Sequence, residues 1–294
     1  MKTVFPVPII RSFRPHFIAF AVLSFCATPF IAQAHDPETG RASAIANEGV
    51  MVEAGDAKIL FDPLFQPGLR PVMNDEFAET IIDGLAPYEG VDAVFISHAH
   101  RDHFHADYII RLLAAQKDLR LFVPTQVAAM LEAHPDWKLE FDERVKSVDL
   151  APGHSLRYTL GSMRIDAVRV PHIGYPNRNA GLENIVFRVA LTPNHRVMHL
   201  GDADGQPDHF APHEAMFSEA RTGMAFVPYW MLLEDSGREV IGTMLNAEKV
   251  IGIHVGTRAN PEDASAELIA SGEDYFSKLG ETRVIPETSG PEQE

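Results

Sequence analysis

The stretch VFISHAHRDHFH, residues 94–105, places four histidines and an aspartate within eight positions directly after an apolar run. The run VDAVFIS, residues 91–97, is short and nearly continuous, as expected for a strand that is covered on both faces. A polar surface loop could also be rich in histidine by chance. That alternative does not explain why the cluster comes at the end of a buried strand, so the stretch favours a metal site.

The spacing of these residues indicates more than one metal ion. An extended backbone places residues i and i+2 on the same side, so His98 and His100 can meet one ion. Asp102 and His103 follow where the chain turns, and they can reach a second position beside the first. Zinc and similar ions bind imidazole nitrogen together with carboxylate oxygen. The pattern H-x-H-x-D-H therefore predicts two adjacent ions.

The elements around this stretch predict an α/β domain. Upstream, residues 49–55 and 57–63 resemble two strands, Asn74 is a candidate helix N-cap, and residues 35–48 are interpreted as a tail or loop. Downstream, helix and strand patterns alternate, and hairpin-like strands then follow, joined around Gly161 and Pro193. Since no linker-like stretch divides the chain, we predict one domain with two mixed β-sheets and helices outside them.

The first 34 residues form a separate segment in this interpretation. A basic start, an apolar stretch at 17–32 and the sequence Ala32-Gln33-Ala34 together predict a secretory signal peptide that is cleaved after Ala34. A membrane anchor is the alternative, but the stretch is shorter than a bilayer span and contains Pro29. We therefore expect a periplasmic or secreted protein, residues 35–294, with no stable membrane span.

The charge and the cysteine content exclude some classes of catalytic residue and of substrate. The single cysteine, Cys26, would leave with the signal peptide, so the mature chain would have neither a thiolate ligand nor a cysteine nucleophile. The formal net charge is −16, and removing residues 1–34, which contain three basic and no acidic residues, makes it −19. Such a field repels polyanions, and nucleic acid is therefore not expected as the substrate.

The motif SHAHRDH, residues 97–103, resembles the signature of the metallo-β-lactamase superfamily of metal-dependent hydrolases. The other residues that resemble the family's markers also appear in order, each after an apolar run: Asp62 before the motif, and His172, Asp202 and His254 after it. The resemblance covers roughly residues 49–260. It implies a four-layer αββα sandwich with the site along one edge of the sheets.

The resemblance also implies the roles of these residues. His98, His100 and His172 would hold one divalent ion, and Asp102, His103 and His254 would hold the other. Asp202 would bridge the two ions, and it would share the catalytic role with Asp102. Zinc is the expected metal, with iron or manganese as alternatives. His154 competes with His172 as a ligand, but it precedes its strand and is the weaker candidate.

Several other residues are expected near the ions. Asp62 would orient a histidine ligand through that ligand's outer nitrogen, as carboxylates commonly do. Loops after the ligand-bearing strands would form the wall of a pocket for a small-molecule or lipid-like substrate. Its candidate residues are Tyr175, Arg178, Tyr229, Trp230 and Arg258. The roles of Asp204 and of His35, the expected new N-terminus, stay open.

The expected reaction is hydrolysis of an ester, lactone or phosphodiester by a metal-activated hydroxide. The flanking sequences look most like the branch of ascorbate-6-phosphate lactonase and N-acyl-phosphatidylethanolamine phospholipase D. Three alternatives remain: a lactamase-like amide hydrolase, an iron-dependent oxidoreductase, and a non-catalytic metal-binding protein. Cysteine-containing β-lactamases are a poorer match, because they carry cysteine where this chain has Asp202.

Overall fold

The predicted two-sheet architecture is confirmed. The computed structural model describes residues 39–45, 47–69, 73–255 and 261–288, without the side chains of residues 261–264. Two mixed β-sheets face each other, and helices cover the outer face of each sheet. The predicted signal segment 1–34 and the candidate pocket residue Arg258 lie outside the described residues.

The first sheet has seven strands in the order β13-β1-β2-β3-β4-β5-β6. Strands β3 to β6 are parallel to one another, whereas β13, β1, β2 and β3 pair antiparallel. The strands are β1 Arg41–Ala44, β2 Val50–Ala54, β3 Ala57–Phe61, β4 Ala93–Phe95, β5 Arg120–Pro124, β6 Val145–Val148 and β13 Thr282–Val284.

The second sheet has six strands in the order β12-β11-β10-β9-β8-β7. Strands β10, β11 and β12 are parallel, and β7, β8 and β9 are joined to β10 by antiparallel pairing. The strands are β7 Ser155–Leu160, β8 Met163–Arg169, β9 Ile185–Ala190, β10 Arg196–His199, β11 Thr222–Pro228 and β12 Ala247–Ile253.

Helices form the two outer layers. The described helices are α1 Asp75–Ile82, α2 Ala106–Ala115, α3 Thr125–Glu132, α4 Pro207–Phe210, α5 Glu214–Ser218, α6 Tyr229–Leu233, α7 Asp235–Thr243 and α8 Pro261–Ser271, with short 3₁₀ helices at Leu139–Phe141 and Ala211–His213. Helix α1 begins at the predicted cap, where the Asn74 side chain accepts a hydrogen bond from the Phe77 amide at 2.8 Å.

Alternation along the strands explains the layers. Leu60 and Val94 pack toward the helices, while the next residues, Phe61 and Phe95, pack between the sheets. Successive side chains of a strand point to opposite faces, and both faces of these strands are covered. The result is three apolar layers, one between the sheets and one under each layer of helices.

The interpretation of residues 35–48 as a tail or loop is wrong for Arg41–Ala44, whereas the other described residues of this stretch lie outside strands and helices. Arg41–Ala44 forms β1, which pairs with β2 and with β13 near the C-terminal end of the described chain. Small residues dominate this strand, so its sequence lacks the large alternating side chains that indicate a strand. Pairing on both sides, rather than local propensity, makes it a strand.

The two sheets come close together at one edge, and Gly201 makes this possible. Its φ angle of +54° lies in the left-handed region, where a side chain is strained. A Cβ atom there would lie 2.4 Å from the Asn184 Oδ1 atom and 2.6 Å from the Ser97 Cβ atom. The Ile185 amide also donates to the Ser97 carbonyl at 2.9 Å. This junction joins the end of β4 to the second sheet.

We expect Gly201→Ala to lower the free energy of unfolding by about 2–4 kcal/mol, because strain at positive φ adds to a clash with the buried side chains of Asn184 and Ser97. Gly242→Ala is the matched control, since a Cβ at this position in α7 would meet no atom within 4 Å. That change should be neutral or stabilising. Urea unfolding of both variants in chelator provides the measurement, and equal effects would contradict the role given to Gly201.

Within the described residues, no helix is both long and apolar enough to cross a bilayer.

Candidate metal centre

The histidines and carboxylates of the site follow strands that end at one edge of the sandwich. Residues 98–103 follow β4, while His172, Asp202 and His254 follow β8, β10 and β12. Those three strands run in the same direction, as their pairing requires. The carboxyl ends of parallel strands are where α/β folds place their sites. Residues far apart in sequence therefore meet at this edge.

One group of ligand-type atoms consists of three imidazoles and a carboxylate: His98, His100, His172 and Asp202. The potential ligand atoms of this group all lie within 4.8 Å of one another. The His98 ring centroid is 4.8 Å from those of His100 and His172. His98, His172 and Asp202 are buried, and His100 is half-buried. We call this group the first position.

A second group contains two imidazoles and two carboxylates, and all four residues are buried: Glu48, His103, Asp202 and His254. The His103 and His254 Nε2 atoms each lie 3.3 Å from the Asp202 Oδ1 atom. The His254 Nε2 atom is also 3.2 Å from the Glu48 Oε1 atom. We call this group the second position.

Asp202 belongs to both positions, and its two oxygens are divided between them. Oδ2 lies 3.2 Å from the His172 Nε2 atom in the first position. Oδ1 faces His103 and His254 in the second position. A carboxylate that presents one oxygen to each of two neighbouring groups has the geometry of a bridging ligand.

The spacing of these atoms fits metal ligation. A tetrahedral ion with bonds of about 2.1 Å places its ligand atoms roughly 3.4 Å apart. The separations of 3.2–3.3 Å between imidazole nitrogens and carboxylate oxygens match that value. Among the described residues, the buried Nε2 atoms of His98 and His172 find no hydrogen-bond partner. Buried polar atoms without partners are costly, so an ion would satisfy them.

Asp62 lies behind two of the histidines. It contacts the Nδ1 atom of His103 directly and that of His98 through the Ser97 hydroxyl. The Asp62 Oδ2 atom accepts from His103 Nδ1 at 2.8 Å and from the Ser97 hydroxyl at 2.6 Å. That hydroxyl lies 3.0 Å from the His98 Nδ1 atom, from which it can accept. One carboxylate thus fixes both rings with Nε2 turned toward the metal positions, as carboxylates behind histidine ligands commonly do. The Ser97 link was not foreseen from the sequence, although Ser97 opens the motif SHAHRDH.

Other contacts hold the histidines that come from the second sheet. The His172 Nδ1 atom lies 2.8 Å from the Ile173 carbonyl oxygen, to which it can donate. The His254 ring lies 5.2 Å from the Trp230 ring, edge to face, and the Trp230 indole donates to the Ala203 carbonyl at 3.1 Å. The backbone of His254 has a φ of +67°, and that of Asp62 has a φ of +40°. Such conformations of residues other than glycine concentrate at functional sites.

Burial and mutual charge shift the pKa values of the cluster. Burial lowers the pKa of His98 well below its usual value, and His103 lowers it further. Burial also acts to lower the pKa of His254, but Asp202 and Glu48 outweigh it and raise the pKa to about 9. Burial raises the pKa of Glu48 to about 7 against the opposing charges of His103 and His254. Strong shifts of this kind mark functional sites.

The structure brings together most, but not all, of the residues predicted from the sequence. Asp102 lies at the rim with its side chain 25% exposed, and its Oδ2 atom is 3.7 Å from His254 Nε2. It is outside the second group, where Glu48 stands instead. The one signal that could have indicated Glu48 is a single acidic residue inside the otherwise uncharged stretch 42–52.

The remaining candidates are placed as follows. His154 is exposed and lies outside both groups, as expected for the weaker candidate. Asp204 is buried, which raises its carboxyl pKa. Trp230 is half-buried beside His254, whereas Tyr229 is buried in the apolar layer under α6. Tyr175 and Arg178 are exposed in the loop that follows His172.

A cavity of about 640 Å³ lies away from the histidines. Its lining includes Gly55, Asp92 and Ser162, which come from turns at the opposite ends of the strands. It is therefore not continuous with the metal positions.

Comparison with known proteins agrees with this geometry. A family model described as the beta-lactamase superfamily domain matches residues 57–253, more than half of the chain. The chain belongs to the metallo-β-lactamase superfamily. The family and the αββα fold predicted from the motif SHAHRDH are thus confirmed. Curated proteins give no match to this chain.

Solved structures show the same fold at low sequence identity. A metallo hydrolase from the hyperthermophilic archaeon Ignicoccus hospitalis is 16% identical with a TM-score of 0.55, covering 84% of this chain and 98% of that one. A protein from Veillonella parvula, described as a possible metal-dependent hydrolase, is 15% identical with a TM-score of 0.58, covering 84% and 100%. A di-iron β-hydroxylase from Streptomyces venezuelae is 13% identical with a TM-score of 0.50, covering 84% and 54%. Because the fold hosts both hydrolytic and redox chemistry, function must be argued from the site.

We expect Asp62→Ala to keep the fold and to weaken metal binding by about 10–100-fold, since two histidines lose the carboxylate behind them. Asp92→Ala is the control, because Asp92 accepts from the Lys58 amide at 2.9 Å before β4, at the opposite end of the strand. Competition with a chromophoric chelator measures both affinities. Unchanged affinity in Asp62→Ala would mean that this carboxylate does not orient the ligands.

We expect metal affinity to rise with pH between about 7 and about 9, the pKa values of Glu48 and His254 in the metal-free protein. Both pKa values are raised, so both groups hold protons at a pH where free side chains would have lost them. Binding an ion must displace these protons. Calorimetric titration with Zn²⁺ in buffers of different ionisation enthalpy counts the protons released. Affinity that is constant across this window would contradict the expectation.

Proposed function

We propose that this protein is an exported hydrolase that uses two divalent metal ions to cleave an ester, a lactone or a phosphodiester. Zinc is the proposed metal, with iron or manganese as alternatives. The proposal rests on family membership, on the two groups of ligand-type residues and on the N-terminal sequence.

The observation that carries the proposal is the divided carboxylate of Asp202. A site for a single ion would need only one of the two groups. Here each oxygen of one carboxylate faces a different set of imidazoles. When bound, two neighbouring divalent ions supply Lewis-acid chemistry, because they lower the pKa of water and polarise the oxygen of the bond to be cut.

Each group of residues would have its own role in holding the ions. His98, His100 and His172 would hold the first ion, and His103 and His254, with Asp102 nearby, would hold the second. Asp62 and Ser97 keep the imidazole rings in place behind them. The carboxylate of Asp102, whose side chain is 25% exposed, lies at the rim, where it could take up the proton as the reaction intermediate collapses.

The proposed substrate class is supported by the divided carboxylate of Asp202 and by the side chains around the site. Trp230 lies beside His254, and the loop after His172 carries Tyr175 and Arg178 on the surface. Aromatic and basic side chains on the elements that follow the strands would suit an amphipathic ester, lactone or phosphodiester. We also propose the narrower assignment to the branch of ascorbate-6-phosphate lactonase and N-acyl-phosphatidylethanolamine phospholipase D, because the sequences that flank the motif look like that branch. The net charge of −16 disfavours nucleic acid.

A substrate screen with metal analysis tests the proposal. The purified protein is loaded with Zn²⁺, Mn²⁺ or Fe²⁺ and assayed on p-nitrophenyl phosphodiesters, esters, lactones and nitrocefin. We expect turnover of one of the first three classes and its loss in chelator. Turnover of nitrocefin alone would favour a lactamase, and full activity in chelator would exclude a metal mechanism.

We expect Asp202→Asn to lose at least 10²-fold in activity, with the second ion lost first. The substitution keeps the shape of the side chain but removes the charge that both positions share. Asp204→Asn is the control, because Asp204 is also buried nearby but lies outside both groups. Metal content and initial rates are measured for both variants. Two ions and near-normal rates in Asp202→Asn would place the bridge elsewhere.

A further inference from the structure

Glu48 is a buried carboxylate that the family signature does not account for. It lies in the turn between β1 and β2, upstream of residues 57–253 that the family model matches. Its side chain is completely buried, and the ion pairs of the described residues give it His103 and His254 as partners but no Lys or Arg. A completely buried carboxylate whose only ion-pair partners among the described residues are imidazoles calls for an explanation.

The atoms that Glu48 contacts distinguish two roles. A carboxylate that merely orients a histidine ligand contacts the ring nitrogen turned away from the metal. Asp62 does this, because it binds His103 through Nδ1. Glu48 instead contacts the Nε2 atoms of His103 and His254. These same nitrogens face Asp202 Oδ1 at 3.3 Å, so Glu48 lies on the metal side of both rings.

Three hydrogen bonds hold the turn that carries Glu48. The Gly201 amide donates to His199 Nδ1 at 3.2 Å, which leaves the proton of that ring on Nε2. That nitrogen lies 3.0 Å from the Glu48 carbonyl oxygen and donates to it. The Asn47 side chain donates to Glu48 Oε1, and the His254 amide donates to the Asn47 carbonyl at 3.3 Å. The carboxylate is therefore held in place beside the second position.

We infer that Glu48 is a ligand of the second ion, which would thus be held by Glu48, His103, Asp202 and His254, with Asp102 as an outer carboxylate. This inference rests on the proposed two-ion function. It makes the two positions unequal, because the first has three imidazoles and one carboxylate and the second has two imidazoles and two carboxylates, with Asp202 belonging to both. A divalent ion at the second position would balance the charge of Glu48 and Asp202. Carboxylate oxygens are also more favourable ligands for Mn²⁺ than imidazole nitrogens are.

Glu48→Gln tests the inference, because it keeps the size of the side chain but removes the charge. Glu53→Gln is the matched control from β2 of the same hairpin, where Glu53 forms an ion pair with Lys58 at 3.2 Å. The full chain is studied in both cases. Metal content is measured by mass spectrometry, affinities by chelator competition, and the ligand environment by the visible spectrum of the Co²⁺-loaded protein.

We expect the wild type and Glu53→Gln to bind two ions with the same cobalt spectrum. Glu48→Gln should keep the first ion, bind the second at least about tenfold more weakly and lose the cobalt absorption of that position. Glu48→Asp, which restores the charge on a shorter side chain, should recover part of the affinity. Thermal unfolding with and without metal checks the fold, and the gain in Tm on adding metal should shrink in Glu48→Gln only.

Two further results separate this inference from the proposed function. If Glu48→Gln binds both ions with wild-type affinity and spectrum, or if Glu53→Gln loses the second ion equally, Glu48 is not a ligand. If the wild type binds two ions and Glu48→Gln only one, but no substrate class is turned over, the ligand assignment stands and the proposed hydrolase activity fails.

Discussion

The close contact between the end of β4 and the end of β10 is the constraint on which the site depends. Ser97 and Gly201 come so near that a methyl group between them would clash. Asn184 secures the junction, because its side chain accepts from the Asp202 amide at 3.1 Å and donates to the Leu200 carbonyl at 3.1 Å. Only this approach of the two sheets allows a carboxylate from the second sheet to lie among histidines from the first.

The folded chain holds the cluster in place before any ion binds, and burying these polar groups costs free energy. His98, His103 and Asp202 are buried, and an unfolded chain would expose each of them to water. Hydrogen bonds behind the rings, from Asp62 and Ser97, prevent the side chains from turning outward. Such preorganisation lowers the stability of the metal-free protein. A ligand that binds only the folded state raises the stability again.

The sequence predicts the strand-end residues well, because each follows an apolar run with a clear pattern. The family resemblance, together with the apolar runs that they follow, predicts His98, His172 and Asp202 at one edge of the sheets. Glu48 could not be predicted, since one glutamate in a turn has no periodic signal and its position depends on how β1 pairs with β13. The substrate pocket is predicted least well for a similar reason. Tyr229 directly follows β11, at the edge where the metal positions lie, but its side chain packs into an apolar layer.

Glu48 and His254 lie about 200 residues apart along the chain, Glu48 between the first two strands of the first sheet and His254 after β12 of the second sheet. An ion held by both would act as a cross-link that closes nearly the whole domain into one loop. Disulfides serve this purpose in many exported proteins, and they stabilise chiefly by restricting the unfolded chain. This chain has one cysteine, so it can form no internal disulfide. The ion that activates the substrate would then also join the two ends of the fold.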